Sequence, residues 1–184
     1  TKQGSSGATE TYTVITTLGA VNSLTGTDLQ GIQGNLGGNY VLGADINAGG
    51  FAFRPLGYQT STDSNTNLAN FTGEFHGLGH TISNLEITAP ASAPNYVGLF
   101  GAANNATLRD INLDNASIDG QGFRTAALLG YARGSTSISN IDVSGSVTNT
   151  MSGTTGGVVG YLVDTSSVSN IRSSADVSGV RAVG

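Results

Sequence analysis

Over the second half of the chain, short apolar runs return at a nearly fixed interval, with polar or glycine-rich steps between them. Gly98-Leu99-Phe100-Gly101, Ala127-Leu128-Leu129-Gly130 and Gly157-Val158-Val159-Gly160 superpose, their last glycines 29 and 30 residues apart. A second block follows each one: Leu108-Arg109-Asp110-Ile111, Ile138-Ser139-Asn140-Ile141 and Val168-Ser169-Asn170-Ile171, spaced by 30 and 30. Ile82-Ser83-Asn84-Leu85 reads as an earlier copy, 26 residues before the first. A third apolar position recurs at Ile118, Val147 and Val177. One such repeat, three β-favouring runs divided by Gly, Ser, Asn or Asp, cannot bury its apolar side alone. Stacking the copies buries it, with like residues above each other in parallel strands ~4.8 Å apart. The pattern predicts an all-β solenoid with about 26–30 residues per rung.

The phase inside the second block predicts a corner. Apolar residues of an unbroken strand recur every second position, yet Ile138 and Ile141 are three apart. A bend at Asn140 resolves this, because Asn tolerates left-handed backbone angles and bonds locally. Asn84, Asp110, Asn140 and Asn170 are thus expected to form one inward corner ladder.

The first third is less regular. Tyr12-Thr13-Val14-Ile15 alternates like a strand. Thr27-x-x-Gln30 reads as a capping box opening a short helix that carries Leu29, Ile32 and Leu36, although Gly31 and Gly34 oppose it. This segment is placed to cover an end of the stack. Residues 1–11 read as a tail or junction. Residues 12–184 read as one solenoid domain, irregular over 12–70 and regular over 71–184. Val180-Arg181-Ala182-Val183-Gly184 looks like the opening of another repeat, so a piece of a longer protein is expected.

Composition narrows the function. Charged residues make up 10%, against roughly 25% in ordinary soluble domains, and 28 glycines argue against a helical bundle. The net charge is −5 and the basic residues stand singly, so no nucleic-acid partner is expected. No apolar run is long enough to span a membrane, and the absence of Cys removes disulfides and thiolate metal sites.

Three further stretches carry a family resemblance. Tyr40-Val41-Leu42-Gly43-Ala44-Asp45-Ile46, Phe53-Arg54-Pro55-Leu56-Gly57 and Phe71-Thr72-Gly73-Glu74-Phe75-His76-Gly77-Leu78-Gly79-His80-Thr81-Ile82, followed by Gly98-Leu99-Phe100-Gly101, resemble the series found in large bacterial exoproteins related to filamentous haemagglutinin that carry GLUG repeats. The resemblance runs from about Tyr12 to the end. It implies a right-handed parallel β-helix in a secreted, cell-surface protein used for adhesion or biofilm building, and it implies no reaction. Related segments also occur beside immunoglobulin-cleaving metallopeptidase domains, so the motif marks architecture before activity. The partners implied are a cell-surface receptor, a matrix polysaccharide or another adhesin, with the fragment monomeric.

A few residue pairs carry candidate chemistry beside that reading. His76 and His80 lie four apart, but Gly77-Leu78-Gly79 between them is poor helix and no third ligand is near, so no metal is expected. His80 is assigned to a turn and His76 to solvent. Asp114 and Asp142, 28 apart, would face each other on neighbouring rungs if they formed a glycosidase-like acid pair, with Arg109 beside Asp110 as a cation. A Ca²⁺ at Asp110 lacks the surrounding acids of solenoid calcium sites. No catalytic residue or cofactor is assigned. Tyr58, Tyr96, Phe123, Tyr131 and Tyr161 form the candidate recognition surface, since Tyr suits carbohydrate and protein contacts. Tyr131 and Tyr161, 30 apart, are expected to stack. The polar stretch from Gly57 to Asn70 is long enough for a contact loop. Three readings stay open: an adhesive scaffold, a carbohydrate-binding module, and part of a carbohydrate-active β-helix enzyme.

Overall fold

A computed structural model describes residues 10–57, 69–89 and 96–182. Its early strands are short: β1 (Thr13–Ile15), β2 (Tyr40–Leu42), β3 (Ile46–Asn47), β4 (Glu74–His76), β5 (Thr81–Ser83) and β6 (Glu86–Thr88). The later ones lengthen: β7 (Tyr96–Val97), β8 (Phe100–Asn104), β9 (Thr107–Gly120), β10 (Arg124–Ala126), β11 (Leu129–Arg133), β12 (Ser137–Gly156), β13 (Val159–Leu162), β14 (Ser167–Ser173) and β15 (Asp176–Ala182). All the strand pairings are parallel, and the chain coils into a solenoid of about five turns.

Apolar residues stack into columns. One runs Tyr40, Phe75, Leu108, Ile138, Val168; another runs Ile46, Ile82, Leu113, Val143. Ile111, Ile141 and Ile171 align in a single column, as do Ile87, Ile118, Val147 and Val177. On the other wall Phe100, Leu129 and Val159 pair across β8, β11 and β13. Each interior rung is shielded by rungs on both sides, so Leu108, Ile111, Ile138 and Val143 are buried. The early rungs are filled by aromatics, with Phe71 4.9 Å and Phe75 5.5 Å, ring to ring, from Phe100.

Three corners turn the chain, each through left-handed backbone. Asp110, Asn140 and Asn170 have φ of 58°, 55° and 50°. Asn84 and Asn115 have φ of 54° and 53° at a second corner, and Asn105 and Asp164 (54° and 59°) flank Gly134 (65°) at a third. Asn and Asp visit this region at little expense, while a β-branched residue would be strained there.

Two expectations are corrected. Among the described residues no α-helix forms near the N-terminus; Gln30–Gly34 is a 3₁₀ helix. The expected capping box is absent, since the Thr27 hydroxyl bonds Thr25 and the Gln30 side chain reaches the Arg54 backbone. Asp28 Oδ1 accepts the Gly31 N–H at 2.6 Å instead, and a side chain at Gly34 would strike the Leu24 backbone. Leu29 and Ile32 nonetheless enter the core beside Ile15.

Asn84 also leaves its assigned ladder. Ile82 pairs with Leu113 and not with Leu108, which puts Asn84 against Asn115 at the second corner. The same apolar-x-Asn-apolar block serves two corners of one rung, so local likeness misplaced it by one strand. Above Asp110 the chain instead carries Gly77, whose N–H bonds Arg109 O at 3.0 Å; a Cβ there would collide with the Asp110 carbonyl.

Candidate functional site

The Asp110 corner continues into a polar line along the solenoid. Asn170 Nδ2 donates to Asn140 Oδ1 at 2.7 Å, and Asn140 Nδ2 donates to Asp110 Oδ1 at 2.8 Å. Asp110 Oδ2 accepts from Arg109 Nη1 at 2.9 Å, and Arg109 Nε donates to His76 Nε2 at 2.9 Å. Tyr12 O–H donates to Glu74 Oε2 at 2.5 Å, with that oxygen 3.2 Å from His76 Nε2. The ladder was expected to point inward, yet the bonds from Asn140 and Asn170 lie at the solvent-exposed edge. Interior space is already filled by Ile138 and Ile141.

His76 was expected in solvent and is buried, 4% exposed. Alternation with core-facing Phe75 turns its ring outward, but there Tyr12, 5.1 Å away, and Arg109 of the next rung cover it. Burial, then the Arg109 guanidinium, hold the imidazole below its ordinary titration range. A neutral ring fits the geometry, because Nε2 needs its lone pair to accept from Arg109, whose guanidinium can only donate. The bond to the Glu74 carboxylate pushes the Tyr12 hydroxyl up to about 12. This Tyr is therefore a donor and no ready base.

His80 does occupy a turn, its N–H bonding Gly77 O. Its Nδ1 lies 3.1 Å from Asp45 Oδ1, which also accepts the Thr81 N–H at 2.9 Å. The backbone N–H foremost, then His80, hold the Asp45 carboxyl below its usual range. Among the described residues no three His, Asp or Glu side chains converge as a metal-binding group.

The candidate acid pair does not assemble. Asp142 pairs in register with Asn112 and lies 3.9 Å from Arg172, whereas Asp114 Oδ1 accepts from Ser144 Oγ at 2.8 Å. The 30-residue register causes the mismatch, since it still holds where β12 pairs Val143 with Leu113 and contracts by one residue only afterwards, where Gly145 meets Ala116. Gly145, at φ 118°, abuts Ala116 so closely that a Cβ would clash. Among the described residues, open clefts of about 240 and 320 Å³ share Arg54 on their walls. Glu86 is the acid lining the larger one, and the smaller has no acidic wall.

The aromatic residues converge more than the acids. Tyr131 lies 4.9 Å from Tyr96 and 6.1 Å from Tyr161, ring centre to ring centre. Arg124, a residue sequence reasoning passed over, covers all three at 5.4, 4.4 and 4.0 Å from the rings of Tyr96, Tyr131 and Tyr161. Its Nη1 donates to the Tyr96 hydroxyl at 3.3 Å. Tyr96 is buried, Tyr161 is 40% exposed and Phe123 is 62% exposed. Tyr58 lies outside the described residues, as does most of the Gly57–Asn70 stretch. The one available signal for Arg124 was its place between Phe123 and a Tyr column, legible only once the register is known.

Taken together, the chain is a parallel β-solenoid scaffold with ladders at its corners and one aromatic-cationic strip on its wall. It belongs to the family of the N-terminal region of M26 IgA1-specific metallo-endopeptidases, whose model matches residues 25–145. It is also similar to halomucin of Haloquadratum walsbyi, at 35% identity over 134 residues. That match covers 66% of this chain and 1% of halomucin, so the chain spans a very small part of that relative. No solved structure matches.

Proposed function

We propose that this chain is a structural and attachment module of a secreted cell-surface protein, extending it and presenting its walls to cells, matrix or glycans. The observation that carries this reading is the unbroken set of columns, above all Ile111–Ile141–Ile171, bound along the edge by the Asp110–Asn140–Asn170 ladder. A stack in which each rung repeats the last serves reach and surface. The family match supports an extracellular setting, because an immunoglobulin-directed protease meets its target outside cells. The resemblance to GLUG-bearing exoproteins and the similarity to a protein named as a mucin point the same way. No reaction is assigned to these residues: the candidate acids Asp114 and Asp142 are out of register on their neighbouring rungs, Asp142 facing Asn112 and Asp114 accepting from Ser144.

The test is attachment. Beads coated with the full chain should adhere to bacterial or epithelial cell layers, or to immobilised matrix polysaccharide, several-fold above albumin-coated beads. Adhesion equal to albumin on all these surfaces would remove the attachment role. Release of reducing sugar or new oligosaccharides from such polysaccharides would replace it with the enzymatic reading.

A further inference from the structure

We propose that the wall formed by Arg124, Tyr131, Tyr161 and Phe123 is a binding strip for an acidic polysaccharide, with Arg124 receiving a uronate carboxylate. The proposal deepens the attachment reading by naming the ligand class and the site.

The geometry of Arg124 carries the argument. Its guanidinium lies over three tyrosine rings, 4.0–5.4 Å from their centres. A guanidinium presents five N–H donors in a planar fork matched to a carboxylate. One Nη1 bond to Tyr96 is made, and among the described residues no carboxylate lies within ion-pair distance. In a chain of net charge −5, an arginine held rigid by aromatics and left without an acid is complementary to an external anion.

The surroundings favour a sugar polymer over an acidic peptide. Tyr131 and Tyr161 stand one above the other on neighbouring rungs, along the solenoid axis, and Phe123 projects beside Arg124. The exposed Tyr161 and Phe123 beside the Arg124 cation suit the alternately apolar and hydroxylated faces of pyranoses. The supporting turn is fixed: Asn149 Nδ2 donates to Gly122 O at 3.0 Å and Thr154 N–H to Phe123 O at 2.8 Å. Thr154, paired in register with Arg124, has a buried hydroxyl with no partner. Arg133 follows two residues after Tyr131, so on the same outer side, and its Nε is buried without a partner. Side chains fixed on a rigid wall reduce the ordering that binding would require.

The experiment is affinity electrophoresis and calorimetry of the full chain with polygalacturonate, neutral dextran, dextran sulfate and polyglutamate. Polygalacturonate should bind at least tenfold more tightly than dextran, with affinity falling as salt rises. Arg124→Gln should reduce that affinity at least tenfold, and Arg124→Lys should recover only part of it, since an ammonium keeps the charge without the planar donor pair. Tyr161→Leu, at the exposed end of the strip, should weaken binding several-fold while the circular dichroism and thermal midpoint stay those of the parent. It keeps the proposal testable if Arg124→Gln does not fold. Equal retardation by polygalacturonate and dextran overturns the proposal. So does wild-type affinity in a folded Arg124→Gln or Tyr161→Leu. Polyglutamate binding as tightly as polygalacturonate would show a general anion site and overturn the glycan assignment, and dextran sulfate binding as tightly would overturn the uronate assignment. Bead adhesion that survives Arg124→Gln sinks this site alone; polygalacturonate binding without any bead adhesion sinks the attachment role alone.

Discussion

The central rungs and the last described rung carry the same pattern of residues and live in different surroundings. In β12, Ile138, Ile141 and Val143 are at most 2% exposed; in β14 their register partner Val168 is 43% exposed, and Leu162 at the end of β13 is 39% exposed. Opposite them, at the N-terminal end, Ile15 of the first strand is completely buried, because the segment holding Leu29 and Ile32 folds into the core beside it. Burial in a solenoid is thus a property of the neighbouring rung and not of the residue's own strand. A polar stretch with two well-placed apolar side chains substitutes for a rung.

The strongest test of that contrast is a pair of truncations, one in a central rung and one in the end rung. Ile141→Ala should destabilise the fold by about 3–5 kcal/mol, since packed rungs on both sides prevent collapse of the cavity. Val168→Ala should cost about 1 kcal/mol or less. Urea midpoints measure both, and equal shifts would show that the end rung is as well packed as the middle. Ile32→Ala should cost about 2–4 kcal/mol and expose the first rung to a hydrophobic dye. No dye response would mean that the 3₁₀ segment does not cover it.

The corners sharpen the comparison at smaller scale. Asn140→Val should cost about 1–3 kcal/mol, through a β-branched residue forced to φ 55° and two lost ladder bonds. Asn170→Val, equally strained at φ 50° but losing one ladder bond, should cost less than Asn140→Val. The smallest effect concerns pH. Folded His76 resists protonation, so as pH falls below about 6.5 the unfolded chain takes up a proton that the folded chain does not. Stability should decline through that range and level off once the folded imidazole also titrates. Above about pH 7 this group contributes no slope. His76→Gln keeps an acceptor for Arg109 and should flatten the decline; an unchanged slope in thermal midpoint against pH would assign it elsewhere.

Much of the fold was legible because stacking makes like residues coincide in sequence. The 30-residue spacing of Ile111, Ile141 and Ile171, and the bend implied by three-residue spacing at Asn140, both follow from periodicity alone. Where one local pattern had two uses, the sequence was ambiguous. Ile82-Ser83-Asn84-Leu85 looks like the Asn140 block but turns the second corner, and only the longer early rung, with Phe75 opposite Leu108, reveals it. The candidate acids failed for the same reason. A spacing of 28 between Asp114 and Asp142 suggests neighbours, but the contraction at Gly145 comes after Asp142 in the chain, so Asp142 keeps the full 30-residue register and faces Asn112.

By itself, the order of residues determined that the chain coils in parallel rungs with Asn-bearing corners, since each rung's apolar side needs its copy above and below. Tertiary structure alone decided which corner each Asn serves, that His76 is sealed beneath Arg109, and that Arg124 settles across three tyrosines. Those outcomes depend on inter-rung register, and a single inserted or deleted residue shifts register without altering any local propensity.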